Sequence, residues 1–72
     1  MDWIIQTPNE LIPVEVKYTD HPTLSDARHV KIFLDEDETA KKGYLICRVN
    51  RPIALTDDIT ALPWQLLPSI WE

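Results

Sequence analysis

The segment IPVEVKY, residues 12–18, decides the fold, because its apolar and polar side chains alternate as they do in a β-strand. One face of this strand is apolar and carries Ile12, Val14, Val16 and Tyr18. The other face carries Glu15 and Lys17. A plain half-buried strand has the same pattern, so the meaning of the two charged residues depends on what lies opposite them.

The residues before this strand predict a β-hairpin. DWII, residues 2–5, is rich in β-branched and aromatic side chains, and Pro8 with Asn9 provides a favourable turn. A loop centred on this dipeptide keeps the apolar side chains together and brings Asp2 opposite Glu15. The predicted cross-strand pairs are Asp2–Glu15, Trp3–Val14, Ile4–Pro13, Ile5–Ile12 and Gln6–Leu11.

A helix and another strand follow the hairpin. Residues 23–36 have helical periodicity, and Thr23 with Asp26 resembles an N-terminal capping box. The apolar arc of this helix consists of Leu24, Ala27, Val30 and Leu34. Residues 44–49, YLICRV, predict a strand parallel to the second one, reached through the helix. Gly43 is expected to adopt a special backbone conformation before that strand.

The last part of the chain predicts one more strand. ITALPW, residues 59–64, is interpreted as an edge strand that stops at Pro63. The tail is expected to form one helical turn, with Trp71 covering the core. The predicted fold class is therefore α/β, as an α+β mixed sheet made of a β-hairpin, a helix crossover and two further strands.

Length and composition indicate one small domain over residues 1–72. A chain of this size buries only about 60 % of its unfolded surface, so self-association would help to stabilise it. Cys47 is the single cysteine, which excludes an internal disulfide, and its apolar strand predicts a buried thiol in a cytoplasmic protein. No segment has the length of a membrane span or the pattern of a signal peptide.

The charge of the chain argues against nucleic acid as a general partner. The formal net charge is −5, and its acidic excess is concentrated in DEDE, residues 35–38, interpreted as a solvated helix end. Non-specific nucleic-acid binding depends on lysine and arginine to neutralise phosphates, so this charge disfavours it.

The hairpin register creates a candidate metal site. Carboxylates directly opposite each other lie about 5 Å apart at Cβ, and they repel unless something neutralises them. Asp2 and Glu15, with the Val16 carbonyl, are candidate ligands for Mg²⁺ or Mn²⁺, which prefer oxygen donors. Lys17 is the candidate catalytic residue, orienting or deprotonating a metal-activated water. The simpler interpretation is an exposed ion pair between Glu15 and Lys17.

These residues resemble a known superfamily. An Asp, then Glu-x-Lys on the next strand, then a helix and a strand, is the PD-(D/E)XK nuclease pattern, matched by Asp2, Glu15 and Lys17. Nearly the whole chain resembles the C-terminal domain-of-unknown-function module of bacterial and archaeal AAA-type ATPases. The segments that carry this resemblance are residues 11–34, KKGYLICR and ITALPWQLL. The resemblance implies a truncated restriction-endonuclease-like core.

Two departures from these families shape the functional interpretation. The sequence lacks a phosphate-binding G-x-x-x-x-G-K-[ST] loop, so it contains no ATPase part and is not expected to bind ATP. It also begins at the first motif residue, whereas such nucleases have a helix and a strand before it. We therefore expect a non-catalytic module that associates with itself or with a protein partner, exposing Trp3, Trp64 or Trp71. The alternative is a Mg²⁺-dependent phosphodiesterase, and the sequence leaves the question of enzyme activity open.

Overall fold

The computed structural model describes residues 1–71 and contains one five-stranded sheet with helical segments on both of its faces. The strands are β1 (Trp3–Gln6), β2 (Leu11–Val16), β3 (Gly43–Cys47), β4 (Ile53–Ala54) and β5 (Ile59–Pro63). The helical segments are a 3₁₀ turn (Leu24–Ala27), the helix α1 (Arg28–Glu36) and a second 3₁₀ segment (Trp64–Ile70). Within the described part of the chain, no helix is long and apolar enough to cross a bilayer.

The hairpin register predicted from the sequence is confirmed. β1 and β2 are antiparallel, with Trp3 opposite Val14 and Ile5 opposite Ile12. The other two pairs, Ile4–Pro13 and Gln6–Leu11, also agree with the prediction. The last of these pairs is followed by the loop around Pro8, where the Thr7 amide donates to the Glu10 carbonyl at 3.0 Å.

The sheet is mixed, and its strand order is β1-β2-β3-β5-β4. β2 runs parallel to β3, and β3 runs parallel to β5, whereas both outer strands are antiparallel to their neighbours. The predicted α+β fold class and the parallel pairing through the helix are therefore confirmed. Because parallel strands are normally covered on both faces, this order already requires two separate cores.

The prediction that residues 59–64 form an edge strand is wrong. β5 lies between β3 and β4, because the short segment Ile53–Ala54 folds back to pair with it. The Thr56 hydroxyl stabilises the turn between them. It accepts a hydrogen bond from the Ile59 amide at 3.0 Å and donates one to Asp58 Oδ1 at 2.7 Å. The true edges are consequently β1 and the two-residue strand β4.

Each face of the sheet has its own apolar core. The face under α1 buries Ala27, Val30, Leu45, Cys47, Ile59 and Ala61. The opposite face buries Ile12, Val14, Ile46, Leu62 and Ile70. Ile70 therefore covers the second core from the last 3₁₀ segment, and the predicted role of Trp71 in this position is wrong, since half of Trp71 is exposed. Burial raises the pKa of the Cys47 thiol, which keeps it protonated and agrees with its expected place in the core.

The helix begins later than its sequence pattern predicts. The Asp26 carboxylate accepts hydrogen bonds from the Thr23 amide at 3.0 Å and from the Thr23 hydroxyl at 3.2 Å, as expected for a capping interaction. The turn that follows is 3₁₀, so the α-helix itself begins at Arg28 and leaves Leu24 partly exposed. Val30 and Leu34 face the sheet as predicted.

Gly43 is required for close packing and not for a special backbone conformation. No described residue has a positive φ, so the predicted conformational role of this glycine is wrong. A Cβ at position 43 would instead overlap Val30 Cγ1 and would lie 3.2 Å from Pro13 Cγ. The missing side chain lets α1 sit directly against β2 and β3.

We expect Gly43→Ala to lower the free energy of unfolding by about 1–3 kcal/mol, because the new methyl group overpacks the helix–sheet contact. Urea denaturation measures this loss. In a Val30→Ala background the methyl has room, so the same substitution should cost at least about 1 kcal/mol less. Equal costs in both backgrounds would show that the contact with Val30 is not the constraint.

Candidate functional site

The predicted site residues lie together at the end of the hairpin. Asp2 precedes β1, Glu15 and Val16 end β2, and Lys17 follows them. Asp2 Oδ2 accepts a hydrogen bond from the Val16 amide at 2.7 Å. The Asp2 carboxylate thereby continues the ladder past its last backbone pair, Trp3 with Val14, and satisfies an amide that would otherwise be free.

Asp2 is exposed and is held in its ionised form. The hydrogen bond from the Val16 amide lowers the pKa of the Asp2 carboxyl most, and the neighbouring Glu15 carboxyl lowers it next. The positive charges of the N-terminal amino group and Lys17 lower this pKa further. The two carboxyl groups are therefore neighbours, as the hairpin register predicts.

Glu15 is buried, in contrast to the exposed ion pair considered from the sequence. Only 6 % of the residue is exposed, because α1 covers the face of β2 to which Glu15 belongs. His29 of α1 approaches it, with Nδ1 3.0 Å from Glu15 Oε2. Within residues 1–71, His29 is the salt-bridge partner of Glu15, whereas Lys17 is exposed and uses its backbone amide to bond the Ile46 carbonyl at 2.9 Å.

His29 is the residue that the sequence interpretation missed. It lies beside Val30, just outside the apolar arc of α1, and about half of its side chain remains exposed. Its role could have been inferred from the topology, because β2 runs parallel to β3, and strands in parallel pairs are normally buried on both faces. A glutamate on such a strand needs a hydrogen-bonding partner from the covering helix, and histidine is the residue of α1 that can reach it.

The carboxylates have limited capacity for a metal ion. One oxygen of Asp2 accepts a hydrogen bond from the Val16 amide, and one oxygen of Glu15 is hydrogen-bonded to the His29 ring. In residues 1–71 there is no group of three or more His, Cys, Asp or Glu side chains that could hold a metal. Two carboxylate oxygens and the Val16 carbonyl remain as donors, so metal binding at Asp2, Glu15 and Val16 stays a prediction.

Besides Trp71, three large aromatic side chains are exposed. Trp3 is 48 % exposed, Trp64 is 68 % exposed and Tyr18, beyond the end of β2, is 92 % exposed. A single exposed apolar side chain needs no explanation, but aromatic residues are enriched where a protein contacts a partner. These three surround the same end of the sheet.

They line a cleft outside the carboxyl ends of β2, β3 and β5, which we call the carboxyl-end cleft. Its apolar half has a volume of about 390 Å³ and is lined by Trp3, Val16, Lys17, Tyr18, Ile46 and Leu67. Its polar half has a volume of about 530 Å³ and is lined by Asp20, Val49, Asn50, Arg51, Ile53 and Gln65. Cys47, Arg48 and Trp64 line both halves, so the two halves meet at these three residues.

Comparison with known proteins identifies one family. Residues 1–67 match a family model described as a domain of unknown function, DUF4143. A search of curated proteins and a search of solved structures gave no significant match. The match extends from the hairpin, through the site around Glu15, into the last 3₁₀ segment.

We expect His29→Ala to lower the free energy of unfolding by about 1–3 kcal/mol, because it removes the partner of a buried carboxyl group. Chemical denaturation of the variant and the wild type measures the difference. His21→Ala is the matched control, since His21 is 93 % exposed and lies 3.6 Å from Asp20. That variant should unfold like the wild type, and an equal loss in both would contradict the importance of the Glu15–His29 contact.

Proposed function

The chain belongs to the DUF4143 family, and we propose that it acts as a non-catalytic association module with a nuclease-like fold. The observation that carries this proposal is the unprotected edge of the sheet at β1. The four residues of β1, WIIQ, include neither a charge nor a proline. Natural sheets use charges, prolines, bulges or very short strands to prevent edge-to-edge pairing. β4, with two residues, follows that rule, whereas β1 does not.

The side chains of β1 also suit pairing with a second copy of the chain. Trp3 and Ile4 point to opposite faces of the sheet and are 48 % and 49 % exposed. A partner strand added along this edge would therefore bury apolar surface on both faces at once. Two β1 strands related by a twofold axis pair antiparallel, and each presents the same side chains to the other. A second copy satisfies the edge without a further type of partner.

The resemblance seen in the sequence is part of this proposal. An acidic residue before β1, Glu-x-Lys at the end of β2, a covering helix and a parallel strand support a relationship to the PD-(D/E)XK nuclease core. The resemblance to the C-terminal module of AAA-type ATPases supports a place for this domain beside such an ATPase. Under either relationship, the edge at β1 is the surface through which the domain associates.

We expect the wild-type chain to dimerise as its concentration rises from micromolar to millimolar, measured by sedimentation equilibrium. Ile4→Lys should shift the protein to the monomer, because it places a charge on the paired edge. Ile53→Lys is the matched control, since Ile53 is 39 % exposed but lies on β4, at the opposite edge of the sheet. That variant should dimerise like the wild type. A wild type that stays monomeric throughout would rule out self-association at this edge.

A second candidate function is a metal-dependent phosphodiesterase, favoured by the adjacent carboxyl groups of Asp2 and Glu15. These two residues and the Val16 carbonyl would hold Mg²⁺ or Mn²⁺, which commonly uses one or two carboxylates and several waters. A bound ion would supply a more acidic water and stabilise charge on a phosphate. Lys17 is exposed beside Asp2 and would orient or deprotonate that water.

For this second function we expect Mg²⁺ or Mn²⁺ to shift or broaden the amide resonances of Asp2, Glu15, Val16 and Lys17 in ¹⁵N-labelled protein. Asp2→Asn should abolish the response because it removes a charged ligand. Asp57→Asn, at an exposed aspartate in the turn before β5, is the matched control and should retain it. The absence of a localised response at millimolar metal would eliminate the enzymatic alternative for this chain.

A further inference from the structure

We propose that the carboxyl-end cleft binds an acidic peptide segment of another protein, with an apolar side chain next to its carboxylates. The inference rests on the proposed role in association, but it concerns a different occupant and a cleft that shares Trp3 with the β1 edge. It names the chemistry of a partner: an apolar anchor for one half of the cleft and negative charge for the other.

The position of the cleft follows from the strand directions. β2, β3 and β5 are parallel and end together at Val16, Cys47 and Pro63. The chain leaves the sheet at each of these ends, so neighbouring strands diverge into separate loops. In open sheets with parallel strands, ligands bind in the crevice outside the carboxyl ends. The cleft occupies that crevice.

The apolar half is suited to an apolar side chain, because most of the residues that line it are apolar. Its floor is formed by Val16, Ile46 and Leu67, which also pack against the second core. Trp3 and Trp64 stand at its sides and are both about half exposed or more. An apolar side chain of a partner would remove these surfaces from water, which favours its binding.

The polar half supplies an excess of positive charge. Arg48 and Arg51 line it, and Lys17 lines the apolar half together with Arg48. Within residues 1–71, no carboxylate lies at salt-bridge distance from these three cations. Asp20 is the one acidic side chain among the lining residues, and its contact is with His21 at 3.6 Å. The cations are therefore available to carboxylates from another molecule.

The charge of the whole chain favours a peptide over nucleic acid. Three of the seven basic residues line this cleft, in a protein with a net charge of −5. A polyphosphate chain carries more charge than three cations neutralise, and the net negative charge of the protein would repel the rest. A short peptide with two or three carboxylates would stay within reach of the cations, and arginine binds carboxylates in a bidentate way.

Selection from a random peptide display library on the immobilised wild-type chain tests the inference. We expect the enriched peptides to combine acidic residues with an adjacent apolar residue. Arg48→Glu should weaken their binding at least about tenfold, because it removes a charge-assisted contact and adds repulsion. Trp64→Ala should weaken it through the apolar half. Arg28→Glu is the matched control, since Arg28 is exposed on α1 and outside the cleft, and it should bind within about twofold of the wild type.

The opposite results would overturn the inference. These are no enrichment, enrichment of peptides without acidic residues, or binding that is insensitive to both Arg48→Glu and Trp64→Ala. Both replaced side chains are exposed, so we expect the variants to keep their fold, and circular dichroism measures this. Sedimentation of the same wild-type sample separates the two proposals. A dimer without peptide binding would leave the association at β1 intact and reject only the occupant of the cleft.

Discussion

The close contact between α1 and the sheet at Gly43 is the constraint on which the rest of the structure depends. The missing side chain allows Val30 to reach the backbone of β3 and lets Pro13 of β2 pack beside it. Helix and sheet are therefore separated by little more than one layer of side chains. This distance closes the first core, and it also places the helix over the end of β2, where Glu15 lies. A bulkier residue at position 43 would lift the helix from both.

The burial of Glu15 follows from that contact and changes the meaning of the Glu-x-Lys pattern. On a solvated strand, Glu15 and Lys17 would be free to pair with each other. Under α1, the glutamate is enclosed and meets His29, whereas the lysine beyond the strand end remains in water. Burying a carboxyl group without a hydrogen-bond partner destabilises the fold by more than one hydrogen bond stabilises it. The packing of α1 over Glu15 therefore requires the Glu15–His29 contact.

Local sequence patterns predicted the parts of the fold that depend on local interactions. The register of β1 and β2 follows from Pro8-Asn9 and from alternation, and both are short-range signals. The position of β5 and the partner of Glu15 depend on long-range pairing, so periodicity alone could not predict them. Gly43 was recognised as special, but its reason was a neighbour 13 residues earlier in the chain, Val30. His29 belongs to no sequence motif, and its contact with the buried Glu15 depends on how α1 lies over β2.

The same structural hydrogen bonds explain why association is the stronger functional interpretation of this domain. A metal-dependent nuclease needs carboxylates whose oxygens converge on one open point, and the charge of the ion offsets their repulsion. Here the repulsion between Asp2 and Glu15 is reduced by protein groups, the Val16 amide for one and the His29 ring for the other. The sheet gains stability from both interactions. In contrast, the apolar side chains at the β1 edge and the exposed tryptophans remain in water in the isolated chain. Only contact with another chain would remove them from water.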